Sequence, residues 1–152
     1  MQPEVQLSSE QVFDGGLVQV RVDTVLLPNG RKATREVVDH QPAVVVVPVD
    51  ADGNVVLVRQ YRYPVAIELL EAPAGLVEEG EAPRDCAQRE LREETGYRAG
   101  SLESLGQFWT SPGFCTELMY AYIGQDLEPG ALEPDADENI EIEKVPLWTV
   151  AG

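Results

Sequence analysis

Positive charge is scarce in this chain. Only 11 Lys and Arg stand against 27 Asp and Glu, and the net charge over 152 residues is −16. A surface of that sign repels nucleic-acid backbones and anionic lipid headgroups, so neither is an expected partner. A small phosphate-bearing molecule is a different case, because divalent cations can bridge its charge to protein carboxylates. Cysteine is scarce as well. Cys86 and Cys115 are too few for a disulfide framework and lack the spacing of a metal site, which leads us to expect two reduced thiols in a cytoplasmic protein. His40 is the only histidine. Without a Ser or Cys partner pattern it offers no nucleophilic machinery, and it is read as structural. Long apolar runs are missing too. The longest, Ala43 to Val49, is interrupted by Pro48 and falls far short of a membrane span. Met1 to Glu10 holds neither a basic start nor an apolar stretch, so no secretory signal is expected.

What is present is ordinary globular material. Apolar residues make up 43% and charged residues 25%, enough for one compact domain with a hydrophobic core. Leu17 to Leu27 (LVQVRVDTVLL) alternates as a half-buried strand does, Pro28-Asn29-Gly30 makes a turn, and Lys32 to Asp39 returns. Ala43 to Val49 is continuous and β-branched, the pattern of a strand covered on both faces. The turn Asp50 to Asn54 separates it from a strand at Val55 to Gln60. A helix is framed by Pro83 in its first turn and Gly96 just past its end, with Ala87 and Leu91 on one face. Strands are expected at Ser104 to Trp109, Glu117 to Ile123 and Ile140 to Leu147. The acidic, proline-bearing stretch Gly124 to Asp137 reads as a mobile loop, and Trp109 and Trp148 read as core.

The helix breaks its own electrostatic rules. Glu90, Glu93 and Glu94 gather on one face at i, i+3 and i+4, where like charges cost about 0.2–0.5 kcal/mol per pair. Glu93 and Glu94 also occupy the last turn, at the negative end of the helix dipole. Glu81 adds a fourth acid. A solvated acidic face accounts for the number of acids but not for their position. Hard divalent cations bound through carboxylate oxygen would account for both, and Mg²⁺ is the default where phosphates complete the shell. Arg89 either pairs with a neighbouring carboxylate or lies in solvent.

These residues belong to a longer pattern. Gly75 to Tyr97, GLVEEGEAPRDCAQRELREETGY, resembles the Nudix box, with its fixed positions on Gly75, Glu81, Arg89, Glu90, Leu91, Glu93, Glu94, Gly96 and Tyr97. Tyr97 stands where an aliphatic residue is usual. The lead-in, Val58-Arg59-Gln60-Tyr61-Arg62 followed by Leu70 to Gly75, resembles the ADP-ribose pyrophosphatase branch of that family. So do Pro112 in Ser111-Pro112-Gly113 and the stretch from Val12 to His40.

The resemblance implies an α/β fold: a Nudix α/β/α sandwich around a mixed sheet, preceded by a small N-terminal antiparallel sheet. Residues 1–40 would form that sheet, exchanged between the subunits of a homodimer, and residues 41–152 the catalytic domain. The family's further C-terminal helix is expected to be missing or truncated, since the chain stops at Trp148 to Gly152. The implied activity is Mg²⁺-dependent hydrolysis of the pyrophosphate bond of ADP-ribose to AMP and ribose 5-phosphate, with Mn²⁺ able to substitute. A pyrophosphatase for ADP-glucose or GDP-mannose is the sister reading, and a non-catalytic nucleotide-sensing module the reading from another class. Carried over by position, Glu90 and Glu94 are the main metal ligands, Glu93 shares them and the carbonyl oxygen of Ala74 completes the site. Gly75 lets the chain turn beside it, and the motif favours Arg89 as an orienting partner. Metal-bound glutamates make poor general bases. Glu138 is therefore the candidate base, provided its loop closes, with Glu141 in reserve. Arg59 and Arg62 are the candidate phosphate ligands, and Pro112 marks the substrate region. Phe13 either stacks on adenine or is a core or interface aromatic.

Overall fold

Valine-rich segments and the turns between them set the architecture. The computed structural model of the chain describes residues 2–131 and 139–150. In chain order these form β1 (Val5–Asp14), β2 (Val18–Leu26), β3 (Lys32–His40), β4 (Ala43–Pro48), β5 (Asn54–Arg62), β6 (Ile67–Glu71), β7 (Ala74–Leu76), α1 (Pro83–Thr95), β8 (Tyr97–Trp109), β9 (Leu118–Pro129), β10 (Ile140–Pro146) and α2 (Leu147–Val150). No helix among the described residues is long and apolar enough to cross a membrane. The chain divides into two compact units, Met1–Pro42 with Phe108–Leu118, and Ala43–Gln107 with Met119–Gly152.

The first unit is an antiparallel sheet in the order β1-β2-β3. The hairpin between β2 and β3 closes through Gly30, whose φ of 79° suits a residue without Cβ. Its N–H donates to the Leu27 carbonyl at 2.9 Å. Arg21 donates to Asp23 at 3.1 Å and pairs with Asp39 on one face. β1 begins at Val5, well before Val12, where the resemblance to the N-terminal sheet starts. All ten of its residues are exposed, and two register irregularities interrupt its pairing with β2. It is held by backbone pairing, so hydropathy gives no sign of its first half. His40 keeps a structural role here: its Nδ1 lies 2.7 Å from the Gln41 carbonyl, and its N–H donates to Thr116 Oγ1.

The second unit holds two sheets, β10-β5-β6 and β7-β4-β9-β8. β4 runs parallel to β9 and antiparallel to β7, so it is interior to a mixed sheet. That position accounts for its unbroken valines. Val44 and Val46 are 0% exposed and pack with Cys86, Ala87 and Leu91 of α1, Ala99 and Leu102 of β8, and Tyr122 of β9. β8 begins at Tyr97, seven residues ahead of the expected start at Ser104, because the chain turns from α1 straight into it. The stretch expected to be a loop from Gly124 is strand as far as Pro129. Backbone pairing overrides its acidic composition there. The two tryptophans expected in the core are exposed instead, Trp109 at 53% and Trp148 at 79%. Trp148 sits in the single turn of α2, where no residue is buried, so it has no interior to join.

The turn between β4 and β5 is organised by Asp50. Its carboxylate accepts from the N–H groups of Asn54 at 2.9 Å and Asp52 at 3.0 Å, and from Lys144 Nζ of β10 at 3.0 Å. The Asn54 N–H, followed by Lys144, holds the carboxyl down at about 2. A depressed carboxyl stabilises the fold above its unfolded value, 3.8, and the contribution disappears as pH falls from there toward 2. Asp50→Ala should therefore lower Tm at pH 7 by about 2–4 °C, the shift expected from one ordinary hydrogen bond in a domain of this size. The difference from wild type should narrow as pH falls below 3.8 and close only below about 2, as followed by circular dichroism melts. An unchanged gap at low pH would remove Asp50 from this role.

Candidate active site

The site is assembled on α1. Ala82 precedes the helix without a side-chain cap, Pro83 fills the first turn, and Gly96 closes the end in the left-handed region with φ 69°, donating to the Arg92 carbonyl at 2.8 Å. Ala87 and Leu91 are fully buried, which fixes the helix rotation. That rotation places Glu90 and Glu94, one turn apart, inward as well, at 9% and 2% exposure. Two buried carboxylates on the C-terminal half of a helix need strong local compensation.

Arg89 supplies part of it. Its Nε and Nη2 donate to the two oxygens of Glu81, each at 3.0 Å, and Nη1 donates to Glu90 at 2.6 Å and Glu93 at 3.0 Å. Nη2 also reaches the Leu76 carbonyl at 3.0 Å. One guanidinium thus ties three acids to the end of β7. The Glu81 carboxyl is held down at about 2, chiefly by its bond from Arg89, and the surrounding acids raise the pKa of Arg89. Of the two sequence alternatives for Arg89, the geometry gives the paired one. The fourth acid, Glu94, accepts from the Ala74 N–H at 3.2 Å. Cys86 donates to the Leu76 carbonyl at 3.3 Å, and burial pushes its thiol up to about 12, which makes it inert at neutral pH.

Gly75 carries a different constraint from the one its sequence context suggests. It lies in a strand and its φ is not positive, so no sharp turn demands glycine. A Cβ at this position would stand 2.1 Å from Glu90 Cδ and 2.1 Å from Oε1. Glycine is needed because the Glu90 carboxylate occupies that space.

Glu90, Glu93 and Glu94 were expected to stand around a metal ion. Among the described residues, however, no group of three or more His, Cys, Asp or Glu is arranged to hold one. Glu90 and Glu93 turn instead toward Arg89, the nearest positive charge. The chemistry of the donor set nonetheless fits a hard divalent cation. All three offer carboxylate oxygen, and the Glu90 carboxylate fills a cradle at Gly75 that any side chain would close. The Ala74 N–H contact brings the proposed carbonyl ligand's residue beside Glu94.

The other candidates are dispersed. Arg59 is bound to Glu143 at 2.6 Å and Arg62 to Glu71 at 2.6 Å, so each guanidinium already serves a carboxylate. Arg59 lines a small recess with Gln60, Tyr61, Glu68, Asn139 and Glu141, the last being the reserve base and its strand partner. Phe13 and Pro112 belong to the other compact unit. Phe13 is 55% exposed on β1, and Pro112 sits in a turn where the Phe114 N–H donates to the Ser111 carbonyl at 3.1 Å. Glu138 lies outside the described residues. Sequence reasoning missed Glu143 and Glu71 as arginine partners, since both pairings cross between strands. It also missed Cys86 and the Leu76 carbonyl as supports for Arg89. For Cys86 the i, i+3 spacing to Arg89 was a usable signal.

Comparison with known proteins adds an independent line. A family model described as the NUDIX domain matches residues 39–151, and one described as the nucleoside diphosphate sugar hydrolase N-terminal domain matches residues 4–38. The chain is 40% identical over 146 residues to an ADP-ribose pyrophosphatase of Bacillus subtilis (strain 168), a match covering 95% of this chain and 79% of that protein. It is 41% identical over 146 residues to a methanol dehydrogenase activator of Bacillus methanolicus, with the same coverage of 95% and 79%. A crystal structure of an ADP compounds hydrolase superimposes with a TM-score of 0.90 at 28% identity, over 99% of this chain and 82% of that one.

Proposed function

Because the chain belongs to the Nudix family, we propose that it hydrolyses the pyrophosphate bond of ADP-ribose, releasing AMP and ribose 5-phosphate. The observation that carries this reading is the fixing of Glu90 and Glu93 by Arg89, with Gly75 making room for Glu90, and of Glu94 by the Ala74 N–H, all at β7. The names of the relatives support the substrate class.

A divalent ion, Mg²⁺ with Mn²⁺ as substitute, supplies charge neutralisation at the diphosphate and an acidified water when bound. Glu90 and Glu94 would hold it, Glu93 would share it, and the Ala74 carbonyl would complete the set. Arg89 keeps Glu90 and Glu93 within reach while Glu81 fixes Arg89 through a two-pronged bond. Arg59 and Arg62 take the substrate phosphates by exchanging their present carboxylate partners, and Phe13 from the N-terminal sheet of a partner subunit stacks on adenine. The reading extends to a cytoplasmic homodimer with exchanged N-terminal sheets. The exposed apolar residues Val5, Leu7, Val12 and Phe13 on β1 support an intermolecular contact there. Sedimentation as a monomer at micromolar concentration would remove the dimer from the account.

Glu138 is assigned as the general base, drawing the proton from the attacking water. Glu138→Gln should lower kcat by about 10²–10⁴-fold with KM nearly unchanged. Normal turnover in that variant would move the base to Glu141. The defining assay is a chromatographic panel of ADP-ribose, ADP-glucose and GDP-mannose with Mg²⁺, Mn²⁺ or chelator. AMP and ribose 5-phosphate should form fastest from ADP-ribose and not at all with chelator. Absence of turnover on every substrate would leave a nucleotide-binding module.

A further inference from the structure

The two candidate phosphate ligands are not held alike. Arg59 and Arg62 stand on the same strand, β5, and each meets a carboxylate of a neighbouring strand. Arg62 spans both oxygens of Glu71, with Nε 2.9 Å from Oε1 and Nη2 2.6 Å from Oε2, and the Glu71 side chain is 23% exposed. Arg59 meets Glu143 through a single oxygen. Its Nε and Nη2 both donate to Oε2, at 3.2 and 2.6 Å, and the Glu143 side chain is 43% exposed. A fork that shares one acceptor loses less on leaving it than a fork matched to two, and water readily replaces an exposed partner. Glu143 is thus the more exchangeable of the two carboxylates.

Strand register explains how the pair forms and what stands beside it. β10 runs antiparallel to β5, with Glu141 directly opposite Arg59 and Glu143 opposite Leu57. Glu141 and Glu143 are two residues apart and share a face, so Glu143 reaches Arg59 on the diagonal. Arg59 and Glu141 line the small recess with Glu68, and Glu143 is not part of its lining. The bond to Glu143 therefore ties two donor nitrogens of Arg59 to a group outside the recess. Glu68 and Glu141 act on Arg59 through their charge. Among the described residues, Glu143 is the carboxylate that hydrogen-bonds it.

We propose that Glu143 is a positioning residue that competes with the substrate diphosphate for Arg59 and so sets substrate affinity. The inference rests on the reading of Arg59 as a phosphate ligand and adds a control on that contact. A diphosphate bears more charge than one carboxylate and offers a pair of oxygens to the guanidinium fork, so it displaces Glu143 as it binds. When the products leave, the exposed carboxylate takes the guanidinium back. The exchange is complete before the chemical step, so it lowers affinity and leaves the barrier of the bound complex alone.

The test is isothermal titration of a non-hydrolysable ADP-ribose analogue with Mg²⁺ present, paired with KM on whichever nucleoside diphosphate sugar the chain hydrolyses. Glu143→Gln should bind about three- to fivefold more tightly than wild type, the range an exposed ion pair allows. KM should fall by the same factor with no rise in kcat. Glu143→Asp, which keeps the charge on a shorter arm, should fall between the two. Glu68→Gln removes the same charge without a bond to Arg59, so its gain should be smaller. In an Arg59→Gln background the effect of Glu143→Gln should vanish. Equal or weaker binding by Glu143→Gln overturns the proposal, as does an equal gain in Glu68→Gln or a gain that persists without Arg59. Equal binding by Arg59→Gln and wild type overturns it too, and leaves the ADP-ribose reading standing. Turnover confined to another nucleoside diphosphate sugar overturns that reading instead, and KM on that sugar then decides the exchange. No binding by wild type overturns both.

Discussion

Glu94→Gln is expected to lower turnover by about three orders of magnitude, roughly 4 kcal/mol of transition-state stabilisation, without unfolding the protein. Glu94 is 2% exposed, and one of its oxygens accepts from the Ala74 N–H at 3.2 Å. A glutamine of the same shape keeps an acceptor for that bond, so the junction between α1 and β7 survives. What it loses is the negative charge, and a neutral amide is a poor ligand for a hard cation. It also removes one member of a like-charge cluster at the negative end of a helix, which relieves repulsion. Tm measured in chelator should therefore hold or rise while Mg²⁺-dependent release of AMP collapses. A variant that melts far below wild type would instead make Glu94 a structural residue. One that turns over normally would remove it from the metal set.

Gly75→Ala is expected to separate stability from activity just as sharply, through a single methyl group. The backbone at Gly75 lies in a strand with no positive φ, so alanine is conformationally acceptable and even reduces the entropy of the unfolded chain. Its Cβ, however, would land 2.1 Å from Glu90 Cδ and 2.4 Å from Oε2. The clashing atoms are the end of a flexible side chain, which can rotate away at modest cost. The carboxylate that moves is the one bound to Arg89 at 2.6 Å and assigned to the metal. A Tm change of only a few degrees is expected, with kcat/KM down about 10²–10³-fold, because a displacement of an ångström or so in a catalytic group is enough for that loss. Full activity in Gly75→Ala would show that the position of Glu90 does not matter to the reaction.

Both predictions rest on features of unequal visibility in the sequence. The helix was legible to its ends, because Pro83 and Gly96 mark them chemically and Ala87 with Leu91 fixes the buried face. β4 was legible because an interior strand of a mixed sheet needs apolar side chains on both faces. The first half of β1 and the extension of β9 to Pro129 were not, since backbone pairing forms them and hydrophobic alternation does not. The crowding of Glu90, Glu93 and Glu94 was plain from spacing alone. The placement of Arg89 between Glu81, Glu90 and Glu93 was not, because a helical arginine can equally point to solvent. Nor was the true reason for Gly75, which depends on a carboxylate fifteen residues away in sequence meeting it across the α1–β7 contact. Arg59 and Arg62 show the same limit for partners across strands. In an acidic chain they stood out as candidate phosphate ligands, while the cross-strand carboxylates Glu143 and Glu71 that pair with them were not legible.

The most direct test is isothermal titration of Mn²⁺ into wild-type protein and Glu94→Gln, each with a non-hydrolysable ADP-ribose analogue present. Saturable uptake by wild type, weakened at least tenfold by the substitution, is the predicted result. Identical uptake by the two proteins, or none by either, would contradict a metal site built on the carboxylates of α1.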